Sequence, residues 1–154
     1  MRNLDELITD SPIFAGMQPS HLETIAGCGH NQHVAPDTLL LREGDPADIF
    51  YMIRRGTVAL EVHVPGRGPV VIETLNPGEA VGWSWLFEPY RWHLDGRAVE
   101  DSSLVTFDAA CLRSKVDGDH ELGYELMKRF AANLVDRIQA SRLQMLDVYG
   151  RAPV

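Results

Sequence analysis

Hydrophobic residues follow three different spacings along the chain, and the first is a short helical one. Leu4, Leu7 and Ile8 are spaced to share one helix face. Further on, Ser20 precedes Glu23 by three residues, which matches a capping box at the start of a second helix. The pattern predicts two short N-terminal helices joined by a connector.

The second spacing is strand-like. Between residues 57 and 64, valine and leucine alternate with threonine, alanine, glutamate and histidine, which is typical of a half-buried strand. The proline- and glycine-rich residues 65–69 predict a turn, and residues 70–75 predict the returning partner strand. Two further apolar runs, residues 49–53 and 103–107, predict buried strands. Turn signals every 8–12 residues are the spacing of a β-sandwich or barrel.

The third spacing is that of one long helix. Apolar residues recur mainly every fourth position, and no proline interrupts residues 119–149. A helix of this length spans roughly 45 Å, more than a compact domain of this size covers. Its distal half either lies on the sheet or pairs with the same helix of a second copy, and the apolar spacing favours the second copy. The residues predicted for the dimer helix are Leu126, Phe130, Leu134, Ile138 and Leu146.

These three parts define the predicted fold. It is an α+β fold: an antiparallel, jelly-roll-like β-roll with short N-terminal helices and a long C-terminal helix. We expect a single domain over residues 1–154, with the N-terminal helices in 1–30, the roll in 31–108 and the long helix in 119–150.

Composition narrows the classes of function. The chain has 45% hydrophobic and 23% charged residues, as globular domains do, and a net charge of −8. An acidic chain is a poor partner for nucleic-acid phosphates. No apolar run approaches the ~18 residues of a membrane span, and the N-terminus lacks the apolar core of a signal peptide. We therefore expect a cytoplasmic protein that binds neither membranes nor DNA directly.

Metal and catalytic chemistry are not expected. Cys28 and Cys111 are the two cysteines, and in a reducing cytosol they are predicted to be small buried thiols without a disulfide. Cys28, His30 and His33 lie close together, but no fourth ligand follows at motif spacing, so no metal site is predicted. Nucleophile elbows, phosphate-binding loops and the histidine pattern of a metal-dependent cupin are absent, so the chain is predicted not to be an enzyme.

Five segments in order resemble a known family. The chain resembles the cyclic nucleotide-binding domains of the Crp/Fnr type over nearly its whole length. No single motif is decisive, but their order matches. The segments are residues 11–17 (SPIFAGM), 41–53 (LREGDPADIFYMI), 56–58 (GTV), 77–82 (PGEAVG) and 97–102 (RAVEDS).

The resemblance implies a phosphate-binding cassette in residues 78–98. In the family, backbone N–H groups of a short helix face the cyclic phosphate, a glutamate holds the ribose hydroxyl and an arginine pairs with the phosphate. Here Trp83 stands at the glutamate position and Trp92 at the arginine position. Arg91 is one residue earlier and serves only if the loop shifts, and Arg97 lies nearby.

These replacements change the chemistry of the cassette. An indole donates a hydrogen bond and accepts none, and losing one buried polar partner costs about 1–3 kcal/mol. Three interpretations stay open: the rings fill the pocket, they form a stacking pocket for another ligand anchored by Arg91, or they form a patch for a protein partner. The candidate ligand-binding residues are Gly82, Trp83, Ser84, Trp85, Leu86, Arg91, Trp92 and Arg97.

The sequence therefore predicts a regulatory sensor or adaptor with a divergent cassette. It is expected to act as a homodimer through its long helix and to contact a protein partner. Its candidate ligands are cAMP, cGMP or another small molecule, and no cofactor is assigned. The alternatives are a ligand-free interaction module and a working cyclic-nucleotide receptor that uses Arg91. The sequence ends at residue 154 without a helix-turn-helix, so direct DNA binding is not expected.

Overall fold

The computed structural model describes residue 8 and residues 11–150, with side chains up to 147. Eight strands form two four-stranded antiparallel sheets, ordered β1-β8-β3-β6 and β2-β7-β4-β5. Their apolar side chains, with those of the helices, form one hydrophobic core. The strands are β1 (Gly29–Val34), β2 (Leu39–Leu41), β3 (Ile49–Arg55), β4 (Val58–Val64), β5 (Gly68–Leu75), β6 (Ala80–Val81), β7 (Asp95–Ala98) and β8 (Ser102–Asp108). The helices are α1 (Pro19–Ala26), α2 (Ala109–Gly118) and α3 (His120–Gly150), with a short 3₁₀ helix at Ser84–Leu86.

The predicted β-roll is confirmed, although β4 departs from simple alternation. β4 and β5 pair from Val58↔Leu75 to Val64↔Gly68, as the predicted hairpin requires. However, Glu61 is also buried, because β4 is an inner strand that pairs with β7 on its other side. The Glu61 carboxylate accepts a hydrogen bond from Arg97 Nε at 3.1 Å, which compensates for its burial.

The N-terminal region corrects one prediction. α1 begins at Pro19, its N-cap is Gln18, and no side chain caps it, so the predicted capping box at Ser20 is wrong. Proline fixes the first helical φ without needing a cap, and Ser20 lies inside the helix, where its carbonyl accepts from Thr24 Oγ1. The predicted helix of Leu4, Leu7 and Ile8 lies outside the described residues except for Ile8, which is helical and fully buried.

Two helices follow β8. The sequence pattern does not predict α2, because its ten residues bury only Ala109 and Leu112 and therefore show no clear periodicity. The sequence does carry a signal for the start of α2. Asp108 is its N-cap, and the Asp108 carboxylate accepts a hydrogen bond from the Cys111 amide at 2.9 Å. The long α3 is confirmed within one residue of its predicted start. Within the described part of the chain, no helix is both long and apolar enough to cross a membrane.

A disulfide joins Cys28 to Cys111, so the prediction of two separate thiols is wrong. The sheet explains why cysteines 83 positions apart meet. β1 pairs with β8 so that Gly29 lies opposite Phe107. The Asp108 amide donates to the Cys28 carbonyl at 2.9 Å. The residue before β1 and the first turn of α2 therefore share one end of this sheet, with the two Cα atoms 5.8 Å apart.

Candidate functional site

The candidate site is the cassette, residues 78–98, between the turn after β5 and the end of β7. Gly82 follows β6, and the 3₁₀ helix carries Ser84, Trp85 and Leu86. The three tryptophans, Trp83, Trp85 and Trp92, are 7%, 0% and 5% exposed. All three indole rings therefore belong to the hydrophobic core.

Trp85 belongs to an aromatic stack centred on Phe50. Its ring stacks on Phe50 with centroids 4.8 Å apart, and Phe50 stacks in turn on Phe107 at 5.5 Å. The Trp85 carbonyl accepts a 2.7 Å hydrogen bond from Arg113 of α2. Its Nε1 is buried and has no hydrogen-bond partner within the described residues. Burial of the ring thus outweighs an unsatisfied donor.

Trp83 connects the cassette to α3. Its ring meets Phe50 at 5.2 Å and the edge of Phe130 at 4.7 Å. Its Nε1 donates to Asn133 Oδ1 at 3.1 Å. The residue at the ribose-glutamate position is therefore satisfied by the chain's own helix.

Trp92 closes over the glycine that opens the cassette. Gly82 has φ of +78°, and a Cβ placed on it would lie 2.7 Å from Trp92 Cζ3. The Trp92 backbone is fixed by hydrogen bonds with Gly44 at 2.9 Å and Asp45 at 3.1 Å. The ring at the phosphate-arginine position thus covers the backbone of Gly82.

Both arginines predicted for the site have partners within the chain. Arg91 is exposed, forms a β-bridge with Pro46 and donates from Nη1 to the Gly44 carbonyl at 2.8 Å. Arg97 donates to Glu61 and, from Nη1, to the Asp37 carbonyl at 3.1 Å. Among the described residues, these bonds use one of the five N–H donors of Arg91 and two of the five of Arg97.

Residues that the sequence pattern does not predict as site residues contact the cassette in the structure. The pattern identifies Phe50 only as part of a buried strand, and it does not point to Asn133 or Arg113. Arg113 also lies over the Tyr90 ring, 4.2 Å from its centroid. Asn133 has a detectable signal, because it follows Phe130 by three residues and so shares its helix face.

The dimer-helix residues fall on two faces of α3. Leu126 is buried in its own chain, and Phe130 packs on Trp83 and on Phe87 at 5.1 Å. Leu134, Ile138 and Leu146 are exposed. Arg137 fixes the helix to β5 through two bonds to Glu73, at 3.1 and 2.9 Å.

A cavity of about 210 Å³ adjoins the cassette. Leu40, Arg42, Asp48, Tyr51 and Trp92 contribute to its lining. Burial raises the pKa of the Tyr51 hydroxyl above its ordinary value of 10.0. This volume lies below the about 300–1,000 Å³ that is typical of small-molecule and cofactor sites.

The cluster of Cys28, His30 and His33 is not arranged as a metal site. Cys28 is in the disulfide, and His33 Nε2 lies 2.7 Å from the Asp101 carboxylate. Across residues 8 and 11–150, no three histidine, cysteine, aspartate or glutamate side chains are grouped to hold a metal ion.

Comparison with known proteins agrees with this architecture. The family model of the cyclic nucleotide-binding domain matches residues 31–119 of this chain. A Geobacter metallireducens protein described as cyclic nucleotide-binding has a TM-score of 0.79 at 24% identity, covering 90% of this chain and 99% of that one. A CRP-like cAMP-activated global transcriptional regulator of Mycobacterium tuberculosis is 22% identical over 131 residues, 85% of this chain and 58% of the regulator. The acetyltransferase Pat of Mycolicibacterium smegmatis is 35% identical over 69 residues, 45% of this chain and 20% of the enzyme.

The chain belongs to the cyclic nucleotide-binding domain family. Its fold is the jelly-roll-like fold of that family, as the resemblance implied. The chain spans a little over half the length of the mycobacterial regulator.

Proposed function

We propose that this protein is a regulatory module that signals through self-association of α3, with its cassette closed by its own tryptophans. The observation that carries the proposal is an exposed apolar seam on α3, formed by Met127, Leu134, Ile138 and Met145. Their side chains are between 39% and 55% exposed. Ala131 lies between the first two, so the spacing alternates between three and four as in a coiled coil.

The seam is distinct from the face that α3 uses within its own chain. Leu122, Leu126 and Phe130 pack on the core, while Met127, Leu134 and Ile138 lie on another side of the helix. A stable exposed apolar stripe on a helix favours a partner surface of the same kind. A second copy presents the same stripe, so the partner we propose is another copy of this chain, in line with the two-fold assembly of most oligomers.

We propose that the cassette acts on the packing of α3 and does not bind a cyclic nucleotide. Trp83 contacts Phe130 and Asn133, so a shift of the cassette changes the packing of the first half of the helix. The ribose and phosphate positions hold buried rings, and Arg91 is bonded to Gly44. These contacts support the ligand-free interpretation over a receptor that uses Arg91.

The wider role is proposed from the relatives. Most of them are named as regulators or nucleotide-binding proteins, which supports a regulatory role without catalysis. The location we propose is the cytoplasm. We propose that signalling proceeds through a second protein that binds the paired α3 helices. The acetyltransferase match covers 20% of that enzyme, which is too little to assign its activity to this chain.

Charged side chains introduced into the seam should dissociate the dimer. The wild-type protein should scatter light with twice the 17.2 kDa mass of the chain. Replacing Leu134 and Ile138 together by glutamate buries two like-charged carboxylates in the interface. The dimer dissociation constant should then rise about 100-fold or more. Light scattering over a concentration series measures this change.

Gln139→Glu is the matched control. It adds the same group to the same helix, about 100° round from Ile138 and outside the seam. It should leave the mass unchanged. A wild-type protein that stays monomeric at about 100 μM would rule out the proposed dimer. Equal effects of Gln139→Glu and of the double variant on the dissociation constant would also rule it out.

A further inference from the structure

The Cys28–Cys111 disulfide joins three elements that are far apart in sequence. Cys28 lies between the end of α1 and the start of β1, and Cys111 lies in the first turn of α2. The bond therefore fastens α1 to α2 directly. Around it the roll has a complete apolar core, including Trp85, Phe14, Phe50 and Phe107. Small secreted domains need disulfides to replace a core, and this domain does not.

The two cysteine residues differ in exposure. Cys28 is 3% exposed, whereas Cys111 is half-buried beside the exposed residues Asp108 and Ala110. We therefore expect a thiolate from solution to attack at Cys111 before Cys28. Cys111 also lies in the first turn of α2, where the helix dipole favours a thiolate, and its own amide already donates to the Asp108 carboxylate. This asymmetry is typical of an exchangeable disulfide more than of a sealed structural one.

α2 connects the disulfide to the cassette. Arg113, two residues beyond Cys111, donates to the Trp85 carbonyl at 2.7 Å and covers the Tyr90 ring. At the far end of α2, Asp119 caps α3 and lies 3.8 Å from His21 of α1. A change in how α1 holds α2 thus acts on both the cassette and the start of α3.

We infer that Cys28 and Cys111 form a disulfide that undergoes thiol exchange, and that its redox state sets the stability of the packing of α2 between α1 and the cassette. The reductant is a cellular dithiol. Its first thiolate attacks the Cys111 sulfur, forms a mixed disulfide there and releases Cys28 as a thiolate. Its second thiolate then attacks the reductant's own sulfur in that mixed disulfide and releases Cys111. Two electrons pass to the protein sulfurs, the reductant becomes a disulfide, and both protein thiolates take up protons released from the dithiol.

The test uses the native full chain in buffers of increasing dithiothreitol content, because this dithiol can carry out both steps of the proposed exchange. Alkylation and mass spectrometry give the fraction of open bond, and hydrogen exchange reports on α1, α2 and the first turns of α3. We expect the bond to open without denaturant, and the α2 amides to exchange at least about tenfold faster once it is open. These readouts do not depend on dimerisation or on any ligand, so they can succeed or fail separately from the proposed function.

Single-cysteine variants test the asymmetry. Cys28→Ser leaves the Cys111 thiol, which should react with glutathione disulfide at least about tenfold faster than the buried Cys28 thiol left by Cys111→Ser. A Cys28→Ser/Cys111→Ser variant should show no response of α2 exchange to the buffer. If the variants do not fold, the oxidised and reduced wild-type chains still decide the matter. A bond that opens only after urea unfolds the chain, or opens with no change in α2 exchange, overturns the proposal.

Discussion

Replacing Trp85 by alanine should lower the free energy of unfolding by about 3–5 kcal/mol. The ring is fully buried and stacks on Phe50, which in turn stacks on Phe107. Its removal leaves a large cavity, and the packed rings of Phe50 and Trp83 beside it limit how far the core can collapse into it. Urea denaturation followed by circular dichroism measures the change and does not rely on the lost indole fluorescence.

Phe87→Ala is the matched control for Trp85→Ala. Phe87 lies two residues further along the cassette but is 41% exposed, with only Phe130 as a ring partner among the described residues. It should lose about 1 kcal/mol or less. If Trp85→Ala costs no more than this control, the ring is not part of the core, and the cassette has room for a ligand after all.

Gly82→Ala should cost about 2–4 kcal/mol through two separate effects. Its φ of +78° is a conformation that alanine adopts only with strain, and its new Cβ would lie 2.7 Å from the Trp92 ring. The ring must then move out of its place over the cassette. Thermal or urea denaturation measures the loss, and quenching of tryptophan fluorescence measures the added exposure of Trp92.

Gly66→Ala separates the two effects. Gly66 has a similar φ of +82°, but a Cβ added there would meet no heavy atom within 4 Å beyond its own chain neighbours. It should cost about 1 kcal/mol from backbone strain alone. Equal losses from the two variants would show that Trp92 does not press on Gly82, which would contradict the closed cassette.

The predictable part of the fold was the part set by local pattern. The β4–β5 hairpin followed from valine alternation around a Pro/Gly turn, and α3 followed from an uninterrupted helical period. α2 could not be predicted in this way, because a short helix with two buried residues carries little periodicity. The disulfide depends on the β1–β8 register, which no local pattern reveals.

The resemblance assigns Trp83 and Trp92 to the ribose and phosphate positions of a cassette, but it does not show how their rings pack. Whether the rings fill that space depends on Phe50, Phe130 and Asn133, which come from other elements. Likewise, a repeat of four in α3 did not distinguish Leu126, which faces the core, from Leu134, which faces outward. The two faces of a helix are separated by tertiary packing, which periodicity alone does not supply.

Calorimetric titration of the full chain with cAMP and with cGMP tests the closed cassette most directly. At micromolar concentrations we expect no binding heat from either nucleotide. The buried rings of Trp83 and Trp92 lie at the two positions that the resemblance assigns to nucleotide recognition, and Arg91 is bonded to Gly44. Binding with a micromolar Kd, about −8 kcal/mol, that disappears in Arg91→Ala would contradict the closed cassette and would make the protein a cyclic-nucleotide receptor.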